Sequence, residues 1–145
     1  MKKHLLFAAV LLAGCASPLP PKNPDMAWVD LHMQMASVGN VLMADRLDGK
    51  RLDDGRYFQV SPGAHELQVR YQFELGGMVP GGGMMGFGYE PVEINCYMIV
   101  QYGDFKAGER YRIEASAYMD QPRLELHDSR GQPVGTVRQR QCIPL

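Results

Sequence analysis

Cys15, Cys96 and Cys142 are the three side chains here with the widest range of covalent chemistry. A thiol can be acylated, joined to a second thiol, or used as a soft metal ligand. A second group of soft atoms lies in residues 76–88, Gly-Gly-Met-Val-Pro-Gly-Gly-Gly-Met-Met-Gly-Phe-Gly. Thioether sulfurs bind Cu(I), and flexible Met side chains repack against varied apolar surfaces. The Met spacing is irregular and the segment holds no His, so neither a metal site nor a cofactor is predicted. The segment is no phosphate loop, because no Gly-Lys-Ser/Thr follows. It reads as a hairpin loop in which Met78, Met84, Met85 and Phe87 offer apolar contacts to a partner.

Catalytic patterns are absent. There is no Gly-x-Ser-x-Gly elbow and no His-Glu-x-x-His. His32, His65 and His127 are far apart in sequence and are assigned to strand faces or turns. Asp53-Asp54 before Gly55 reads as a solvated turn. Arg110 and Arg112 beside Glu114 read as a polar strand face. Trp28, the only Trp, packs on the core or on the preceding segment; a sugar platform is the alternative. The expectation is a non-enzymatic binding or structural protein. The alternative is a small-ligand protein, for metal or glycan, using the Gly/Met-rich loop.

The N-terminus explains Cys15. Lys2 and Lys3 precede an apolar run from Leu5 to Leu12, and Ala13-Gly14 lead into the Cys. The run is shorter than the roughly 20 residues that a membrane span needs, and it has the layout of a bacterial secretory signal peptide. Leu12-Ala13-Gly14-Cys15 resembles the lipobox of bacterial lipoproteins. That resemblance implies a diacylglyceryl group on the Cys15 sulfur, cleavage before Cys15 and acylation of the new amine. Residues 1–14 are then the signal peptide. Residues 15–25 are the lipidated Cys and a flexible Pro-rich tether. Residues 26–145 are the folded domain. Ala16 and Ser17, not Asp, follow Cys15, which the resemblance relates to export to the outer membrane, anchored by lipid and facing the periplasm. A chain from Cys15 onward is 131 residues of the 145 and suits one domain. Lys2 and Lys3 leave with residues 1–14, so 13 of the 15 basic side chains face all 16 acidic ones, a net −3. Such a charge gives no case for nucleic acid or anionic lipid. The predicted partners are the membrane, through the N-terminal lipid, and an envelope protein.

With Cys15 lipidated, Cys96 and Cys142 remain as an even pair in an oxidising compartment, and a disulfide is the simple reading. Two separate buried thiols are the alternative. Cys142 is placed beyond the last strand, as a pinned tail.

The elements that must hold these residues are strands. Four prolines in residues 16–25 exclude helix and favour an extended tether holding the domain tens of ångströms off the bilayer, at about 3.1 Å per residue. Thereafter apolar residues alternate. Val29, Leu31, Met33 and Met35 share one face. Leu67, Val69, Tyr71, Phe73 and Leu75 share another, opposite Glu66, Gln68, Arg70, Gln72 and Glu74. Ile94, Cys96, Met98, Val100 and Tyr102 form a third set, and Tyr111, Ile113, Ala115, Ala117 and Met119 a fourth. Asp48-Gly49, Pro62-Gly63 and Asp128-Ser129-Arg130-Gly131 mark turns. This predicts an all-β fold, an antiparallel β-sandwich of about seven or eight strands.

Asp48-Gly49 with Pro62-Gly63-Ala64-His65-Glu66-Leu67-Gln68-Val69 resembles the DG…PGxHxLxV pattern of PEGA-like envelope β domains. The body also resembles small Gram-negative envelope lipoproteins. Both resemblances support the sandwich and imply no chemistry.

Overall fold

The computed structural model describes residues 17–35, 39–80 and 87–145. Among the described residues the chain forms ten strands, the longer of them on alternating apolar positions: β1 (Ala27–Met33), β2 (Val41–Leu47), β3 (Lys50–Arg51), β4 (Tyr57–Val60), β5 (Gly63–Pro80), β6 (Phe87–Phe105), β7 (Arg110–Tyr118), β8 (Gln121–His127), β9 (Pro133–Val134) and β10 (Thr136–Pro144). They form two five-stranded sheets, ordered β4-β1-β7-β8-β9 and β10-β6-β5-β2-β3. The sheets pack as a β-sandwich. Val29, Phe58, Ile113 and Leu126 from the first sheet and Leu67, Val69, Tyr71, Met98 and Val100 from the second are buried in one shared core. At one end Phe105 packs edge-on against both Tyr102 and Tyr111, with ring centroids 5.0 and 4.9 Å away.

Two features differ from the expected antiparallel sandwich of seven or eight strands. First, β1 and β7 run parallel, Trp28 opposite Arg110 through Met33 opposite Ala115. Alternation places side chains on faces whichever way the neighbour runs, so it carries no information on strand direction. The chain between β1 and β7 builds most of the second sheet before returning. Second, β3 and β9 are two residues each, too short for a period of two to register.

Ends also shift. Met35 lies beyond β1 and is exposed, and Met119 is exposed in a turn instead of facing inward. Met119 and Asp120 connect Tyr118 to its partner Gln121, and Met119 has φ +55°. A side chain there is strained, whereas Gly is at home. We expect Met119→Gly to raise unfolding stability by about 1 kcal/mol, read from a urea transition; an unchanged or lower midpoint contradicts this. Asp48-Gly49 behaves as expected. Both residues have positive φ, 49° and 77°, in the two-residue turn that pairs Leu47 with Lys50.

Candidate functional site

The predicted thirteen-residue loop is mostly ribbon. β5 and β6 stay paired through Gly76–Pro91, Gly77–Glu90, Met78–Tyr89, Val79–Gly88 and Pro80–Phe87. Gly permits an extended backbone, though at an entropic cost, and Val79 and Tyr89 are residue types that favour strands. Pro80 and Pro91 are accommodated because both strands of a two-stranded ribbon are edges. The neighbours stop earlier. The last β2 partner of β5 is Gln72, and the last β10 partner of β6 is Ile94. Leu145 N–H still donates to the Glu93 carbonyl, 2.9 Å away, and Glu74 N–H to Asn40 Oδ1 at 3.3 Å. From Leu75–Val92 outward, no third strand pairs with the ribbon among the described residues. It is an arm of about 20 Å, at some 3.4 Å per residue pair. Met78 and Phe87 lie in its strands; Met84 and Met85 lie outside the described residues.

Cys15 also lies outside the described residues. Cys96 and Cys142 are brought together and bonded. Cys142 is within β10, not beyond the last strand. It sits directly across from Cys96, with Cα atoms 4.0 Å apart. Cys96 is fully buried, so the bond staples an edge strand to the core.

Ser61, His65 and Asp48 come together through strand register, with no local motif to mark them. Ser61 Oγ lies 3.0 Å from His65 Nε2, and His65 Nδ1 lies 2.6 Å from Asp48 Oδ2. An ionised Asp48 only accepts, so Nδ1 carries a proton; in the neutral ring Nε2 then accepts the Ser61 hydroxyl. Asp48 Oδ1 also accepts the Glu66 N–H at 2.9 Å. Burial pushes the Asp48 carboxyl up, but the Glu66 and His65 hydrogen bonds outweigh it and hold it below the usual carboxylate range. Beside the group lies an open recess of about 460 Å³, bordered by Tyr102, Gly103 and Thr136. The distances are those of a nucleophile, a base and an orienting carboxylate. The residue after Ser61 is Pro62, which has no N–H. It cannot supply the oxyanion donor that follows the nucleophile in elbow-type hydrolases. What the group does accomplish is to tie the Asp48-Gly49 turn to the β4–β5 turn. The sequence clue was the Asp48-Gly49 and Pro62-Gly63-Ala64-His65 pairing, but only strand register brings its halves together.

A second polar site covers the outer face of β1, β7 and β8, a groove of about 490 Å³. Arg110 reaches Asp30 at 2.6 Å, and Arg112 reaches Glu114 at 3.3 Å. His127 sits between two carboxylates, Glu125 at 3.3 Å from Nε2 and Glu114 at 3.9 Å from Nδ1. Burial raises the Glu114 carboxyl, but hydrogen bonds from Gln34 and Arg112 and the charges nearby bring it below its ordinary value. The polar row read from Arg110, Arg112 and Glu114 is therefore outward-facing, as expected, with Asp30 and His127 added across strands. Each Arg already faces a carboxylate, so a charged ligand would have to displace an ion pair. Among the described residues, no three His, Cys, Asp or Glu side chains gather as a metal site.

Trp28 alternates away from the core yet is only 3% exposed. Its ring stacks on Tyr57 with centroids 4.2 Å apart, and its Nε1 donates to Asp30 Oδ1 at 2.7 Å. The Lys22 ammonium lies 5.0 Å from the ring centroid. Of the two readings, packing against the preceding segment is the one observed; a ring so covered offers no platform for a sugar.

No protein-family model, curated protein or solved structure matches this chain.

Proposed function

We propose that this protein is a lipid-anchored lipoprotein of the outer membrane, facing the periplasm. In this reading it is a non-enzymatic module that binds an envelope protein through the β5–β6 arm. The layout of residues 1–15 supports the anchor. The observation that carries the binding role is the arm. A two-stranded ribbon with no third strand is marginal in water by itself, and this one carries Met and Phe positions at its outer end. A protein partner that covers the arm supplies the missing contacts.

The test is a photo-crosslinking residue placed at Phe87 in living cells, with one at Tyr118, at the far sheet's β7–β8 turn, as control. The reading expects a discrete adduct to one envelope protein from Phe87 and none from Tyr118. Equal or absent labelling at both positions contradicts it. The non-enzymatic part has its own check: a fluorophosphonate probe should leave Ser61 unmodified, and covalent labelling abolished by His65→Ala would make this an enzyme.

A further inference from the structure

The Pro-rich segment before β1 is not simply a spacer. Ser17 carbonyl accepts a hydrogen bond from Arg56 Nη1 at 2.7 Å. Asn23 N–H faces Gln59 Oε1 at 3.4 Å. Lys22 lies over Trp28. Asn23 Oδ1 and carbonyl turn the chain by accepting Asp25 N–H at 2.9 Å and Met26 N–H at 3.2 Å. Met26 carbonyl then accepts Gly108 N–H at 3.0 Å. Pro24 carbonyl passes within 3.5 Å of where a Gly108 side chain would begin. These contacts run from the start of β1 back along β4, the edge of its sheet. Prolines lower the entropy lost when such a segment docks, because φ is already fixed.

We propose that residues 17–26 form a docked strap, so that the lipidated end leaves the domain beside Arg56 and holds the β4 edge of the sandwich against the bilayer surface. The membrane half of this statement rests on the lipoprotein reading; the strap itself does not. Ser17 is two residues from Cys15, a reach of about 7 Å at most. A free tether over residues 16–25 would allow roughly 30 Å. An edge strand lying along a plane sets its sheet's strands roughly parallel to that plane.

Trp28 is the only Trp, so its fluorescence reports the strap directly. The full lipidated chain is reconstituted in phosphatidylethanolamine/phosphatidylglycerol vesicles containing a dansyl-headgroup lipid as energy acceptor. Two variants are compared with the native chain: Lys22→Ala with Arg56→Ala, and residues 18–22 replaced by a Gly/Ser run of equal length. Far-ultraviolet circular dichroism checks that both keep the fold. The proposal expects weak acrylamide quenching and strong transfer to dansyl in the native chain. In both variants quenching should rise severalfold and transfer should fall. Unchanged Trp28 shielding in both folded variants overturns the strap. Strong shielding with weak transfer, in protein whose mass includes the acyl chains, overturns the membrane placement alone. A mass lacking acyl chains overturns the lipoprotein reading and the placement with it, while the shielding result still decides the strap.

Discussion

Replacing both Cys96 and Cys142 with Ala should lower unfolding stability by about 4 kcal/mol. The bond closes a 46-residue separation, and the chain-entropy model gives that magnitude for a loop of such length. Two structural facts bear on the outcome. β10 is an edge strand, and among the described residues its ladder is with β6 alone, so no second ladder restores it once the bond is gone. Cys96 is also fully buried beside Tyr71, Met98 and Val100, so truncation there loses packing as well. A urea transition of the oxidised native protein against the double variant reads the difference. The loss should be accompanied by fast amide exchange along β10 while β5 and β7 stay protected. A shift below about 1 kcal/mol, or uniform exchange throughout, would mean that β10 is held by its ladder and not by the bond.

Removing the arm should abolish function and spare the fold. The register decides where to cut. Leu75 is paired with Val92, so Gly76 through Pro91 can be replaced by Asn-Gly, and the type I′ turn closes on an existing pair. Cutting residues 76–88 instead would place Leu75 against Tyr89. That shifts the pairing by three residues and turns one strand's side chains to the wrong face. Core residues of β5 and β6, such as Tyr71, Phe73 and Cys96, lie inside the retained part. The melting temperature should therefore hold or rise, since less loop entropy is lost on closure. The shortened protein should fail to complement a deletion strain and should no longer co-purify with the envelope partner. Unfolding of the shortened protein would show that the arm is needed by the core. A folded variant that complements fully would move the working surface to one of the sheets.

What was legible in the sequence was what alternation encodes. The faces of β5, β6 and β7 follow directly from Leu67-x-Val69-x-Tyr71, Cys96-x-Met98-x-Val100 and Tyr111-x-Ile113-x-Ala115. The Asp48-Gly49 turn follows from the residues able to adopt positive φ. The pairing of Cys96 with Cys142 was available by elimination, but the place of Cys142 was not. β10 has a register shift between Val137 and Gln139, which breaks the alternation that would have marked it as a strand. The arm was hidden for a different reason. Gly contributes no side chain to a period of two, so a ribbon rich in Gly looks like a loop. The Ser61–His65–Asp48 group and the Asp30–Arg110 pair depend on register between distant strands, which no local pattern supplies. Prolines in residues 16–25 exclude helix and central strand and so predict an extended segment; they say nothing about the hydrogen bonds from Arg56 to the Ser17 carbonyl and from Asn23 N–H to Gln59, or about Lys22 lying over Trp28.

The proposed location, membrane contact and placement of residues 17–26 at the bilayer all depend on a lipid on Cys15. The most direct test is the intact mass of the mature protein extracted from the envelope of its producing bacterium, together with its N-terminal peptide. The account predicts a chain beginning at Cys15 that carries diacylglyceryl and N-acyl mass, with Cys15→Ser abolishing both that mass and the cleavage. A mature protein with an unmodified Cys15, or one cut elsewhere, would contradict it.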